Sequence, residues 1–292
     1  MLSQSEINAK NSEFWNELCG SGLAKILGIT EHTPESLRRF DAAYFDIYPY
    51  LLPIVNPSRM AGKDVLEIGL GYGSMCQQLA GAGARYAGLD IAAGAVRMTN
   101  LRLEMQGFAG RAVVGSAHEM PFVSGSFDFV VSIGCFHHTG NLQRCIDETH
   151  RVLRPGGRAI VMVYNKFSLR QWLGWPWQTF KEVLREWGLL KSAAELTEAQ
   201  KFSYDHNAAG AAAPETVLTS VRDARRIFAA FETVTMQKRN MDPLMLRGRM
   251  IIDRPKLLGV VSRMFGLDLY IEAKKHGVAS AAADITPLAK AG

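Results

Sequence analysis

Between residues 61 and 164 the chain alternates short, nearly continuous apolar runs with stretches of helical period. The runs cover 64–68, 85–90, 111–115, 127–133 and 158–164, and the helical stretches cover 73–83, 93–106 and 141–153. Short apolar runs suit strands buried on both faces, and the longer periodic stretches suit the helices that connect them. Gly62, Gly83-Ala84 and Arg154-Pro155-Gly156-Gly157 punctuate the segments. Strand and helix alternating at this spacing predict a parallel sheet with helices on both faces.

The flanking regions follow other rhythms. Residues 1–60 read as a helical N-terminal cap. Phe14, Trp15 and Leu18 mark one amphipathic stretch, and Leu37, Phe40, Tyr44, Ile47 and Tyr48 mark a second that starts at Pro34. The aromatic residues Phe40, Tyr44, Phe45, Tyr48 and Tyr50 either pack or cover a ligand from the N-terminal side. Residues 61–164 form the core, and residues 165–215 are an insertion holding four of the five tryptophans, Trp172, Trp175, Trp177 and Trp187. Two helices broken at Gly174 and Pro176 are expected there, followed by a small-residue loop over 207–214. The insertion reads either as a cap over an acceptor pocket or as a packing layer. Residues 216–275 return to the sheet, with a helix over 219–231, a strand over 232–239 and an amphipathic helix over 254–265. In the last strand Leu267, Leu269 and Ile271 alternate with Asp268, Tyr270 and Glu272. The Ala-rich stretch 276–292 reads as a flexible tail.

Composition narrows the class. A chain of 292 residues with 48% hydrophobic and 21% charged residues can build a large soluble core. The net charge of +5 comes without a long Lys/Arg run, so a nucleic acid partner is not expected. No apolar stretch is long enough to span a bilayer, and the N-terminus MLSQSEINAK is polar, which predicts a cytoplasmic protein. Cys19, Cys76, Cys135 and Cys145 are scattered without metal-ligand spacing, so reduced thiols and no metal are expected. Segment 244–266 mixes Arg247, Arg249, Arg254, Lys256 and Arg263 with many apolar residues. Two readings are open: a helix packed on the domain with a solvated basic face, or a segment lying on a membrane surface.

The chemistry begins at Val65-Leu66-Glu67-Ile68-Gly69-Leu70-Gly71-Tyr72-Gly73, a strand that breaks into a glycine loop. Asp90 closes the next apolar run, about 20 residues on, as in α/β sheets that hold a nucleoside-bearing ligand. The glycine spacing departs from the G-x-G-x-x-G of dinucleotide sites, and position 74 is Ser. Glu67 would repel a pyrophosphate but attract a cation. S-adenosylmethionine (SAM) carries a sulfonium and an ammonium and no phosphate.

Glu-x-Gly-x-Gly-x-Gly resembles the first motif of class I SAM-dependent methyltransferases. Four further segments match that family in order and spacing: Gly115–Phe122, Ser126–Ser132, Phe136-His137-His138-Thr139 and Arg151–Gly157. The chain resembles the small-molecule type typified by ubiquinone/menaquinone methyltransferases, over 64–164 and in the paired strands near 232–240 and 267–275. The resemblance implies a Rossmann-like, doubly wound, seven-stranded, mostly parallel sheet with a reversed C-terminal hairpin. It implies SAM as cofactor, with S-adenosylhomocysteine (SAH) as product.

It also implies site roles. The loop Glu67, Gly69, Leu70, Gly71 and Gly73 would meet the methionyl end, with Glu67 accepting from its ammonium. Asp90 would accept the ribose hydroxyls, and Ile91 would pack on the adenine. Ser116 and Ala117 would meet the adenine edge; Ser116 stands where the family often has Asp. Ser132 and Ile133 would end the fourth strand beneath the methyl donor. Methyl transfer needs proximity, alignment and sometimes a base. His137 is the better base candidate and His138 the second. Tyr164, Asn165, Trp172 and His206 are candidates to line the acceptor pocket. The Asp/Asn-Pro-Pro-aromatic signature of nucleic acid amine methyltransferases is absent, and no Pro flanks Cys135. The expected activity is methyl transfer to a small, partly apolar acceptor. The alternatives are SAM or SAH binding without transfer, and a lipid-like acceptor at a membrane surface.

Overall fold

The computed structural model describes residues 3–18, 21–191, 195–207, 210–246 and 248–277. Cys19, Ala208, Ala209, Arg247 and nearly all of the expected tail lie outside the described residues. Helices α1 (Gln4–Leu18), α2 (Ser21–Ile26), α3 (Pro34–Ile47) and α4 (Leu51–Val55) precede the sheet. The core then runs β1 (Asp64–Ile68), α5 (Ser74–Gly81), β2 (Arg85–Asp90), α6 (Ala93–Gln106), β3 (Gly110–Val114), β4 (Phe127–Ile133), α7 (Leu142–Val152) and β5 (Leu153–Tyr164). The insertion holds α8 (Leu169–Gly174), α9 (Pro176–Glu186) and α10 (Glu198–Phe202). After it come α11 (Val221–Ile227), β6 (Thr233–Arg239), β7 (Leu244–Leu246), β8 (Arg249–Ile252), α12 (Arg254–Leu257), α13 (Val260–Phe265) and β9 (Asp268–Lys274).

Seven strands form the main sheet in the order β3-β2-β1-β4-β5-β9-β6. The first five strands pair in parallel, and β9 runs antiparallel to both β5 and β6. This is the expected doubly wound sheet with a reversed strand near its C-terminal edge. Alternation along the strands feeds two cores. Leu66, Ile68, Val161, Val163 and Leu269 pack on one face with Ile146 of α7 and Phe228 of α11. Val65, Ile160, Met162 and Tyr270 pack on the other with Leu51, Val55 and Leu79. With both faces covered, the strands need no polar side, which is why they read as continuous apolar runs.

The strand order reverses between β1 and β4, so a crevice opens at their carboxyl ends. Because β9 is reversed, it begins where β5 ends, and Asp268 is the register partner of Tyr164. The expected polar side of β9 is therefore not solvent-facing: Asp268 and Tyr270 are buried beneath the N-terminal helices, and only Glu272 of that set stays partly exposed.

Three expectations need correction. The helix expected over 219–231 covers only Val221–Ile227, started by a Ser220–Asp223 capping box. The helix expected over 254–265 is two short helices interrupted at Leu258 and Gly259. The region 244–252, read as part of a helix or membrane-surface segment, is a hairpin that turns at Gly248, whose φ is +77°. That left-handed backbone is natural to glycine, and the neighbouring Ile251-Ile252 favours strand. The two insertion helices form as expected, with Pro176 at the first turn of α9. No helix among the described residues is long and apolar enough to cross a membrane.

A buried ion pair fixes the N-terminal helices to the core. Arg102 of α6 is 1% exposed, and its Nη1 donates to Asp41 Oδ2 of α3 at 2.9 Å. Ser74 Oγ, at the start of α5, donates to the other carboxylate oxygen at 2.5 Å. Gly73, with φ +76°, is what admits the arginine: a Cβ there would stand 2.8 Å from Arg102 Cδ. Replacing Arg102 by Met would leave Asp41 without its cation inside the protein. We expect Arg102→Met to lose about 3–5 kcal/mol of unfolding free energy in urea titration. A loss within the scatter of ordinary surface variants would show that the pair is dispensable.

Candidate active site

The glycine loop leaves β1 through three left-handed positions, Gly69 (φ +81°), Gly71 (φ +52°) and Gly73 (φ +76°). At Gly69 a side chain is excluded by contact, since a Cβ would lie 2.4 Å from the Cβ of Cys135. At Gly71 a Cβ would meet nothing within 4 Å. Asp90, at the end of β2, holds the loop: its Oδ2 accepts from the Leu70 amide at 2.7 Å and its Oδ1 from the Ala92 amide at 2.8 Å. Burial pushes this carboxyl above its ordinary value, and the backbone donors oppose that shift.

Two cavities meet at this loop. The smaller, about 190 Å³, is lined by Asp90, Ile91, Ser116, Ala117 and His138, among others. Helix α1 forms its outer wall with Asn8, Asn11 and Trp15. That helix is tied to both rims. Ser12 Oγ donates to the Ile91 carbonyl at 3.1 Å and Asn16 Oδ1 accepts from the Gly94 amide at 2.7 Å. On the opposite rim Asn11 Nδ2 donates to the His138 carbonyl at 2.7 Å and Gln4 Nε2 to the Thr139 carbonyl at 2.9 Å.

The larger cavity, about 510 Å³, is lined by Glu67, Leu70, Tyr44, Tyr48, Tyr164 and Asp268 and by Tyr204, Asp205 and His206 of the insertion. It shares Trp15, Gly69, Gly71, Ile133 and Gly134 with the smaller one. Arg170 of α8 holds the insertion's contribution in place. Its guanidinium forks onto Asp242 at 2.7 Å for both bonds, donates to the Ser203 carbonyl at 2.6 Å and lies 4.6 Å from the Tyr204 ring.

Where the cavities adjoin, His138, Asp205 and Tyr164 form a chain. His138 Nδ1 lies 2.7 Å from the Glu215 carbonyl oxygen. A carbonyl only accepts, so Nδ1 carries a proton, while Nε2 is buried and faces Asp205. Nε2 lies 3.4 Å from Asp205 Oδ2, and the Tyr164 hydroxyl donates to that same oxygen at 2.8 Å. Burial pushes the Asp205 carboxyl up, but His138 and Tyr164 outweigh it and hold the group below its ordinary value. The Trp15 ring sits 4.8 Å from the His138 ring.

Several expected site residues lie elsewhere. His137 was the preferred base, yet it is fully buried and lines neither cavity. Neighbours in a tight 3₁₀ turn point in different directions, so only one of the two histidines faces the site. Burial, then the neighbouring His138, holds the His137 imidazole far below its usual value. Ser132 is fully buried and lines neither cavity, while Ile133 lines both. This is the strand alternation at work. Gly73 lines neither and serves Arg102 instead. Asn165 is a structural residue: Nδ2 donates to the Gly266 carbonyl at 2.7 Å, and Oδ1 accepts from the Phe167 amide at 3.2 Å. Trp172 is half-buried and lines neither cavity, and Trp177 and Trp187 are exposed. The tryptophans of the insertion therefore line neither cavity; its 204–206 turn supplies wall residues instead.

Sequence reasoning missed Asn8, Asn11, Trp15, Asp205 and Asp268 as wall residues. A signal for the first three existed: positions 8, 11 and 15 share one helical face, and amides on the inward face of an amphipathic helix mark a polar cavity. Asp268 left a subtler one, an acid placed at the start of a strand beside the end of β5.

Residues 66–161 match the family described as a methyltransferase domain. Over those residues the chain is similar to a methyltransferase domain. Among similar proteins, a demethylmenaquinone methyltransferase of Tropheryma whipplei (strain Twist) is 31% identical over 106 residues, 36% of this chain and 43% of the relative. A phthiotriol/phenolphthiotriol dimycocerosates methyltransferase of Mycobacterium leprae (strain TN) is 33% identical over 117 residues, 39% of this chain and 42% of the relative. The chain thus spans less than half the length of these curated relatives. The YcgJ protein of Bacillus subtilis superposes with a TM-score of 0.53 at 18% identity, covering 78% of this chain and 99% of that one. That likeness is one of fold. The matched residues include the glycine loop, Asp90, Ser116, Ala117 and both histidines, whereas α1, Tyr164, Asp205 and Asp268 lie outside them.

Two buried acids in the larger cavity differ from ordinary carboxyls. Glu67 is 3% exposed and accepts from the Tyr86 hydroxyl at 2.7 Å; burial pushes it up to about 8. Asp268 is 1% exposed, neither oxygen has a hydrogen-bond partner within 3.5 Å among the described residues, and burial pushes it to about 7. A carboxyl raised in the folded state keeps a proton that the unfolded chain loses near its ordinary value. Its contribution to stability is present at low pH and falls as pH rises toward the folded value. Without bound ligand, the advantage of the wild type over Glu67→Gln should therefore shrink as pH rises from about 5 to 8, read from urea midpoints. A pH-independent difference would mean that Glu67 is already ionised.

Proposed function

We propose that this protein transfers a methyl group from SAM to a small, partly apolar acceptor bearing a protic group, leaving SAH. The observation that carries the reading is the meeting of two cavities at Gly69, Gly71, Ile133 and Gly134, with Asp90 on one side and Glu67 on the other. The walls fit SAM: a side chain at Gly71 would meet nothing within 4 Å, Asp90 offers a carboxylate beside the smaller cavity, and Glu67 offers a buried acid whose hydrogen bond comes from the Tyr86 hydroxyl. Bound there, SAM supplies a methyl group on a sulfonium, already activated for displacement.

In this reading Asp90 receives the ribose hydroxyls while its bonds to Leu70 and Ala92 keep the loop shaped. Ile91 and Ala117 flank the base, and Ser116 offers a hydroxyl to its edge. Glu67 gives up its proton when it accepts from the ammonium. The acceptor sits in the larger cavity among Tyr44, Tyr48 and Tyr164. His138 Nε2 takes the acceptor's proton, and Asp205 steadies the imidazolium that results. Asp268 and Asp205 offer acceptor atoms to a hydroxyl or amine on an otherwise apolar body. Both named relatives act, by their names, on apolar molecules, which supports that body. The rival reading, binding without transfer, is separated by SAH formation with a panel of partly apolar hydroxyl compounds.

Two sets of variants test these assignments. Asp90→Ala should weaken SAH binding by about tenfold or more, by calorimetry, with the circular dichroism spectrum retained. Unchanged affinity would show that the site is misassigned. His138→Gln should lower turnover by roughly 10²-fold or more, well beyond its effect on SAH affinity, whereas His137→Gln should act chiefly on melting temperature. The reverse pattern would return the base to His137.

A further inference from the structure

The hairpin β7–β8 stands apart from the main sheet as a separate two-stranded unit. Its large side chains are open to solvent: Met245 is 52%, Leu246 62%, Met250 58% and Ile251 56% exposed. Val260 (71%) and Met264 (57%) of α13 are also open to solvent. An isolated hairpin is marginally stable in water, and an apolar surface of this kind marks a face that something covers.

The charge around it favours one occupant. From residue 244 to 266 the sequence carries Arg247, Arg249, Arg254, Lys256 and Arg263 against a single acid, Asp253. Arg249, Lys256 and Arg263 are exposed beside the apolar side chains. Apolar tips within a basic surround match the interface of an anionic bilayer, where the tips enter the acyl boundary and the cations meet headgroup phosphates.

The root of the hairpin is the rim of the larger cavity. The chain leaves β6 through Asn240, a wall residue of that cavity. It returns at Arg254, which donates from Nη2 to Asn240 Oδ1 and from Nε to the Met241 carbonyl, each at 2.9 Å. The same guanidinium lies 5.8 Å from the ring of Tyr48, another wall residue.

We infer that β7–β8 with α13 is a docking face for anionic membrane surfaces, placed so that the cavity rim meets the bilayer. The docking stands whether or not the methyl-transfer reading holds. The test is co-sedimentation of the full chain with vesicles of phosphatidylcholine alone or with about one-third phosphatidylglycerol. We expect binding to the anionic vesicles that falls as salt rises. The double variant Leu246→Asp/Ile251→Asp, checked for folding by circular dichroism, should lose about tenfold or more in vesicle affinity. Arg249→Glu/Arg263→Glu should lose the preference for anionic lipid. No sedimentation of the wild type at low salt, or equal sedimentation of the wild type and the apolar variant, overturns the proposal. A concentration-dependent dimer that the apolar variant abolishes, without vesicle binding, would assign the face to a second copy of the chain and also overturn it.

Discussion

The carboxylate of Asp90 carries much of what this structure does. β1 and β2 run side by side, and the loop after β1 must turn sharply without a regular ladder to hold it. One side chain at the end of β2 supplies the missing acceptors, taking the Leu70 amide with one oxygen and the Ala92 amide with the other. This fixes the path through Gly69 and Gly71 and the start of the turn into α6. Gly69 in turn must lack a side chain because Cys135, just beyond β4, passes against it. The crevice between β1 and β4 is thus set by one carboxylate and one close contact.

The larger cavity follows a different logic. Its walls come from α3, from the ends of β5 and β9 and from a turn of the insertion, and these parts meet only in the tertiary fold. Buried acids there are tolerable because they hold protons or have partners. Glu67 has the Tyr86 hydroxyl, and Asp205 has His138 and Tyr164. Asp268 has no such partner within 3.5 Å among the described residues, and a buried polar group left in that condition costs free energy that a bound ligand can relieve. An unsatisfied acid in a tyrosine-lined cavity is therefore selective: it favours a molecule that brings a donor and disfavours one that is wholly apolar.

What could be read from the sequence divides along the same line. The parallel sheet was legible because both of its faces are buried, so each strand writes itself as an apolar run. The glycine loop and Asp90 were legible because backbone geometry demands particular residues at fixed spacing. Choosing between His137 and His138 was not, since the direction of each ring depends on a single 3₁₀ turn. The tryptophans of the insertion misled because aromatic content measures surface to be covered, not which surface covers it: Trp177 and Trp187 are exposed, while Tyr204 and Asp205 reach the cavity. Asp268 looked like the solvent side of an alternating strand until α3 and α4 were seen to cover that face.

The walls of the smaller cavity also differ in strength. The floor belongs to the sheet, whose ladders and two apolar cores hold it from both sides. The outer wall is α1, attached through Gln4, Asn11, Ser12 and Asn16 by single side-chain bonds to the two rims. Each such bond contributes about 0.5–1.5 kcal/mol net, so these ties together are small beside the cooperative stability of a domain of this size. Phe14 adds buried apolar contact, but Trp15, beside it, spends part of its surface on the cavity itself. The site is therefore built with a rigid floor and a wall that can yield locally while the sheet stays intact. The same arrangement places Trp15, the most polarisable group on that wall, against His138, so any displacement of α1 changes the surroundings of the nitrogen assigned to proton transfer.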